Sequence, residues 1–473
     1  MEAATQTSFD MVPMRSQSNT ALETSNAFSR LTGRVIVPDD PAYDQARTVF
    51  YGGIDKRPNA IVRVANVDDV KRVVAIARDG GHELAVRSGG HSPAGHSTTE
   101  GGILLDLRAM SAIEIDAADR TAWVETGATA LEVTEAATKY GLVVGFGDSG
   151  SVGVGGITLG GGIGFLVRKF GLTIDSVLAA EVVTANGRHL RVDAEQHPDL
   201  FWAVRGGGGN FGVVTRIKFR LHEMRQFTGG LLVLPATPKT IAGFVAASMA
   251  APEELSTIGN IMAGMPLPFL PPEAHGKLAI VGMMAYAGDH ESAERALAPF
   301  RALATPLADT VKEQPYTAMY QPEDPKMHPT AIGRTAFLDG VDEQMGKTMV
   351  DWLTSYDAPV RVAQLRVLGG AAARVAPDAT AYAHRSKPML VNLAAFYKGP
   401  EDRAARAKWV EEFARAVQPN DTGAYVGFLG DEGSARVHSA YPRATWNRLA
   451  KIKATYDPNN LFRLNQNIAP ESE

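Results

Sequence analysis

The stretch GFGDSGSVGVGGITLGGGIG, residues 145–164, decides how the rest of the chain is read. Its first part, Gly147-Asp148-Ser149-Gly150, imitates the nucleophile loop of a trypsin-like serine protease. That reading requires a histidine base and a buried aspartate beside Ser149, and it leaves the glycines after Gly150 without a purpose. Glycine clusters let backbone lie against a ligand, because no Cβ stands in the way. The chain has 47 glycines, and further clusters fall between Gly89 and Gly212, among them Gly206-Gly207-Gly208-Gly209. A ligand cradle is therefore the better reading.

The spacing G-x-G-x-x-G occurs twice, at Gly145/Gly147/Gly150 and at Gly207/Gly209/Gly212. A dinucleotide fingerprint opens a helix whose N-terminus meets the pyrophosphate. No helical pattern follows either match, and Gly212 runs into the alternating strand VVTRIKFRL. Gly346-Lys347-Thr348 imitates the end of a P-loop, but Val341 stands where the first glycine belongs. His91 and His96 are five residues apart with no third ligand in sight, so no metal is expected.

With 473 residues the chain has room for two or three domains. Its 47 basic and 52 acidic residues give a net charge of −5 without a basic run, which argues against nucleic-acid and membrane partners and for small molecules. It contains no cysteine, which removes disulfides, thiolate nucleophiles and iron–sulfur clusters together. The leading MEAATQTSFDMVPMRSQSNT is polar and lacks the apolar segment of a secretory signal, and no apolar run is long enough to span a membrane. A cytoplasmic protein with roughly 25 disordered leading residues is expected.

Periodicity predicts a strand at Ala60 to Val64, a helix from Asn66 to Gly80-Gly81, and a strand from Glu83 to Arg87 that delivers Ser88-Gly-Gly-His-Ser92 at its C-terminal end. Strands follow at Gly102 to Leu107, Thr121 to Gly127 and Val213 to Leu221, with a helix from Ala130 to about Tyr140. A hairpin around Asn186-Gly187 is predicted with a type I′ turn. Beyond about His222 glycine clusters thin out. There the reading gives strands at Thr257 to Met262, Lys277 to Ala285, Val360 to Leu368, Pro388 to Tyr397 and Ala424 to Leu429, with helices near 289–303, 341–356 and 401–417. An antiparallel sheet covered by helices places this region in the α+β class.

Four ordered motifs then point to a family. They are Arg87-Ser-Gly-Gly-His-Ser92, the run GVGGITLGGGIGFLVRKFGL, the block from Asp199 to Thr215, and the tail from Tyr456 to Ile468. Together they closely resemble the berberine-bridge-enzyme-like FAD-linked oxidases of the vanillyl-alcohol-oxidase/p-cresol-methylhydroxylase fold superfamily, of the bacterial type with one flavin tether. The resemblance implies a leading segment 1–32, an FAD-binding domain 33–222, a substrate-binding domain 223–430 and a C-terminal segment 431–473 that returns to the first domain. It implies that His91 bonds covalently to the flavin 8-methyl carbon. The further cofactor-binding residues it implies are Arg87, Ser88, Gly89, Gly90, Ser92 and His96, then Ser149, Ser151, Val152, Gly155, Gly156, Gly161 and Gly162, and finally Val213, Asn465 and Asn467. Some relatives add a second tether from a cysteine where this chain has Ser149, which a chain without cysteine lacks. Val152 matches a position that gates oxygen, and valine there favours reaction with O2.

Many relatives carry a tyrosine base where this chain has Phe428, so another group takes the proton or the substrate needs no strong base. Alternation puts Gln364 with Arg366, Asn260 with Met262, and Asn392 with Phe396 on candidate pocket faces, and sets Tyr397 and Tyr425 opposite Phe396 and Phe428. Gln364 and Arg366 are the candidate catalytic pair, with Arg366 facing an anionic substrate or the reduced flavin. Asn260, Met262, Asn392 and Phe428 are the candidate substrate pocket. The resulting expectation is a monocovalent FAD oxidase that moves hydride from a CH–OH or CH–NH group to flavin and then to O2. The alternatives are an oxygenase or cyclase acting on a polyketide or alkaloid, and a flavin-binding protein without turnover.

Overall fold

The computed structural model describes residues 28–264, 270–420 and 423–471, and three large sheets organise them. Most of the leading segment expected to lack order lies outside the described residues.

In the first sheet the strands run in the order Arg34–Ile36, Ala60–Arg63, Ile103–Asp106, Leu84–Arg87. Its last three strands are parallel, and the crossover is the helix Val67–Gly80. Asn66 caps that helix by accepting from Asp69 N at 3.0 Å, and Gly81 ends it with φ +64°. Val70, Val73, Val74 and Ala77 form its buried stripe. Because Leu84–Arg87 is parallel to its neighbour, its C-terminal end projects Ser88–Ser92 beyond the sheet.

The second sheet is antiparallel, in the order Ile113–Asp116, Thr121–Glu125, Val213–Arg220, Val177–Val183, His189–Asp193. Its last hairpin forms where expected, but Asn186 does not have the positive φ of a type I′ turn. Thr184 N and Gly187 N donate to Arg188 O and Thr184 O, and only Gly187 is left-handed at φ +81°. This is the three-residue loop closed by a bulge glycine.

The third sheet holds the long antiparallel strands Thr228–Pro235, Leu278–Tyr286, Leu255–Ala263, Arg361–Val367, Met389–Phe396 and Ala331–Leu338, in that order. One face packs on the helices Pro238–Ala250, His290–Arg301, Glu343–Thr354 and Pro400–Val417, through residues such as Ala363, Leu365, Val391 and Leu393. The other face carries Asn260, Gln364 and Asn392 side by side, since the register pairs Asn260 with Gln364 and Gln364 with Asn392. The α+β expectation holds, while the strand expected at Ala424 to Leu429 does not form. Val426–Phe428 is one 3-10 turn, in which Phe428 N donates to Tyr425 O at 3.0 Å. Alternation therefore says nothing about where Tyr425 and Phe428 point.

The C-terminal helix Arg443–Tyr456 packs on the helix Pro198–Val204 and ends in a buried ion pair. Lys453 Nζ donates to Asp457 Oδ2 at 2.5 Å, Asn210 O at 2.7 Å and Phe462 O at 3.0 Å, and both side chains are 0% exposed. Asp457 in turn accepts from Leu461 N and Phe462 N, each at 2.8 Å. An ammonium has three donors, and all three are used. Lys453→Met leaves Asp457 charged and unpaired in the interior, so guanidinium unfolding is expected to show a loss of about 3–5 kcal/mol; an unchanged midpoint would show the pair to be dispensable.

Candidate functional site

Two glycine loops from different parts of the chain lie in backbone contact. A Cβ at Gly89 would stand 2.2 Å from Gly153 N, and one at Gly153 would stand 2.0 Å from Gly89 N. No other residue type fits either position. Ser88 Oγ locks the pair by accepting from Gly155 N at 3.2 Å while donating to Thr126 O. Gly162, at φ +77°, is pressed against Thr173 in the same way. The short helix Val154–Leu159, which the sequence reading did not anticipate, starts from Gly153. Gly156 faces open space, so backbone is exposed along the cradle.

The walls of the cradle hold buried oxygen atoms without a protein partner: Thr158 Oγ1, Asn465 Oδ1 and Asn467 Oδ1, with Ser97 Oγ and Thr98 Oγ1 beside His96. A buried acceptor left unpaired costs about 1–3 kcal/mol. Unpartnered oxygens on the His91 loop, the glycine run and the C-terminal tail fit a ligand rich in donors and acceptors, as a dinucleotide is. Asn210 ties this wall together. Its Nδ2 donates to Gly207 O at 2.8 Å and Gln466 O at 3.2 Å, and its Oδ1 accepts from Ile468 N at 2.9 Å. Val213 packs beside it, in a cluster with Leu461 and Phe462.

Arg87 differs from the expectation of cofactor contact. It is buried, with Nε on Ser97 O at 3.1 Å and its two terminal nitrogens on Ala46 O and Arg47 O. It braces the loop from behind. Ser92 Oγ accepts from His96 N at 3.3 Å and so shapes the same loop, and Gly90 takes the left-handed φ of +81° that the turn requires. His96 itself is pushed down to about 4, chiefly by burial.

His91 lies between Phe50, stacked on it at 4.1 Å and 18°, and Ser151, whose Oγ is 2.9 Å from its Nε2. Burial lowers its pKa, opposed by the nearby Glu323 carboxylate and by Ser151, so the ring is held neutral. Glu323 bonds to Ser149 Oγ at 2.6 Å and to Ser151 Oγ. Here the protease reading ends. The carboxylate sits on the serines rather than on the second histidine nitrogen, which is not the order of a hydrolytic triad.

Opposite the loops stands the polar face of the third sheet. Gln364 Nε2 donates to Asn260 Oδ1 at 2.8 Å, and Gln364 Oε1 accepts from Arg366 Nε at 2.9 Å. Arg366 is 3% exposed and forms an ion pair with Asp148 Oδ2 at 2.7 Å, with its guanidinium 5.0 Å from the Phe428 ring centre. With its charge offset by Asp148, Arg366 is poorly suited to an anionic substrate, which departs from the expectation. Met262 lies on the same face, two residues from Asn260 and paired with Val362. Tyr425 OH accepts from Gly162 N at 3.0 Å, so this phenol abuts the glycine loop instead of pointing away. Burial pushes it up to about 12. Sequence reasoning missed Tyr51 and Glu323, which reach the site from segments without a motif, and gave Asp148, inside the glycine run, no role at the site. Burial raises the Tyr51 phenol, with Asp148 adding to the rise and Arg366 opposing it. Gly161 sits against Tyr382, and Val152 is half-buried beside the loop. Among the described residues no three His, Asp or Glu side chains gather as metal ligands, and no helix is long and apolar enough to cross a membrane.

Known proteins share this fold. A family model for an FAD binding domain matches residues 58–193, and one described as berberine and berberine-like matches 424–469. The (R)-6-hydroxynicotine oxidase of Paenarthrobacter nicotinovorans is 30% identical over 463 residues, covering 93% of this chain and 97% of that protein. The xylooligosaccharide oxidase of Thermothelomyces thermophilus is 28% identical over 447 residues, 87% of each chain. Among solved structures, 6-hydroxy-D-nicotine oxidase from Arthrobacter nicotinovorans superposes with a TM-score of 0.83 at 27% identity, covering 93% of this chain and 98% of that one. Physcomitrella patens BBE-like 1 has the same fold, with a TM-score of 0.84 at 22% identity and coverage of 95% and 99%.

The neutral His96 sets a pH dependence. Its folded pKa of about 4 lies below the ordinary 6.5, so the unfolded chain takes up a proton first as pH falls. Its contribution to stability is whole above about 6.5 and is lost as pH falls towards about 4. Unfolding midpoints measured across that window are expected to slope less in His96→Asn than in the unaltered protein.

Proposed function

The chain belongs to the berberine and berberine-like family of FAD-linked oxidoreductases, and on that footing we propose that it is a monocovalent FAD oxidase. The observation that carries the proposal is the neutral His91 at the mouth of a glycine cradle whose buried amide oxygens lack partners. Asn465, Asn467 and Thr158 would hold the cofactor by hydrogen bonds, with Gly89, Gly155, Gly156, Gly161 and Gly162 supplying close backbone. His91 would hold it by one covalent bond, and Ser149, an oxygen rather than a sulfur, adds none. When bound, FAD supplies the hydride acceptor and the route for electrons to O2, giving H2O2.

The rest of the chemistry falls to the polar sheet face. Asn260, Gln364 and Asn392 form an amide row that orients the substrate, with Met262 beside it, and the Arg366–Asp148 pair fixes Gln364 while keeping the pocket without net charge. A small neutral organic substrate suits that lining. Among the described residues no ionised phenol faces it: Phe428 has no titratable group, burial raises Tyr425 and Tyr51 so that both keep their protons, and His91 is committed to the cofactor. A carbon beside an amine fits this best, because the nitrogen lone pair expels hydride without prior proton removal. Val152, beside Ser151, is proposed to leave room for O2.

Two measurements test the reading. Denatured, washed protein is expected to keep its yellow colour, and His91→Ala is expected to release it; full release from the unaltered chain would sink the covalent bond. Oxygen-electrode screening of cyclic amines, secondary alcohols and sugars is expected to give one H2O2 per O2 consumed, amines leading. Oxygen uptake without matching peroxide would instead identify an oxygenase.

A further inference from the structure

We propose that Glu323, acting through Ser151, sets the tautomer of His91 and receives its proton as the flavin is attached. The inference rests on the covalent reading of His91 and adds the device that makes the bond form.

The direction of each hydrogen bond follows from what the groups are able to do. An ionised carboxylate only accepts. Ser151 Oγ touches Glu323 Oε2, so its proton points to Glu323. Its lone pair is then turned to His91 Nε2, 2.9 Å away, which must carry hydrogen to complete the contact. The other ring nitrogen, Nδ1, is left with the lone pair that a new bond requires. Ser149 donates to Glu323 Oε1 at 2.6 Å and keeps the carboxylate from turning. Ser149 is thus neither a nucleophile nor a vacant tether site but a clamp on Glu323.

The loop bearing Glu323 is fastened to the same corner. His328 Nδ1 lies 3.2 Å from Phe50 O, Gly52 N donates to Pro329 O at 3.1 Å, and Phe50 stacks on His91. Ring, serine and carboxylate are therefore held by one local network, and the exposed Glu323 passes a proton to water without crossing the protein.

The attachment balances as follows. A bond forms between His91 Nδ1 and the carbon of the flavin 8-methyl group. One C–H bond of that methyl and the N–H bond of His91 break. The two electrons released pass through the isoalloxazine to O2, and with two protons they leave as H2O2. Without Glu323 the imidazole would have to give up its proton unaided.

The test uses full-length protein from riboflavin-limited cells, mixed with FAD in air. Two readouts are followed: quenching of FAD fluorescence for binding, and flavin remaining on acid-precipitated chain for attachment. Glu323→Gln is expected to bind FAD normally and to attach it about a hundredfold more slowly, and Ser151→Ala to slow attachment by a similar factor beyond any loss of binding. Glu323→Asp is expected to recover part of the rate. Attachment at the unaltered rate in both Glu323→Gln and Ser151→Ala would overturn the inference, as would slowing that only tracks lost binding. Should the unaltered protein itself release all its flavin, the reading of His91 fails and the inference with it.

Discussion

A lysine ammonium buried beside an aspartate, more than 450 residues into the chain, fixes the wall on which the cofactor would rest. Lys453 reaches Asn210 O on one side and Phe462 O on the other, and Asp457 gathers the amides of Leu461 and Phe462. Those contacts bring the tail against the Gly206–Gly209 loop, where Asn210 completes the junction through Gly207 and Ile468. The pair and Asn210 together hold the segment that carries Asn465 and Asn467. The desolvation of two charges is tolerated because every donor on the lysine is matched.

A second ion pair does comparable work where the sheet face meets the loops. Arg366 belongs to the strand Arg361–Val367 and Asp148 to the glycine run, so their 2.7 Å contact joins the polar face of the third sheet to that loop. The same arginine aligns Gln364, and Gln364 aligns Asn260. One guanidinium thus positions an amide row, offsets a carboxylate and lies over Phe428. Its charge is consumed in architecture, which makes neutrality a built property of the pocket.

Local signals carried much of the fold into the sequence. The Asn66 cap, the Gly81 stop and the run of strands from Ala60 to Val213 follow from periodicity and glycine chemistry, and the three amide-bearing strands were legible with their faces. Three failures share a cause. Val426–Phe428 looked like a strand because its composition is apolar, yet tertiary contacts of Tyr425 with Gly162 and of Phe428 with Arg366 turn it into a helical turn. The helix Val154–Leu159 was hidden by glycines whose helix penalty packing overrides. The strand Thr228–Pro235 has glycine at its second and third positions and was passed over. At the site, the glycine loops and His91 announced themselves through motif, whereas the pairing of Asp148 with Arg366 and the arrival of Tyr51 and Glu323 depend on proximity in space, for which a single sequence has no signal.

The contact between Gly89 and Gly153 has a consequence for how such a molecule changes over generations. Each glycine excludes a side chain at the other, so a replacement at one is not rescued by any replacement at its partner. Two segments some sixty positions apart are thereby frozen together, and variation is diverted to positions that share no contact, where substitutions act independently. A lineage built on this scaffold is free to explore new substrates while the seat of its cofactor stays fixed.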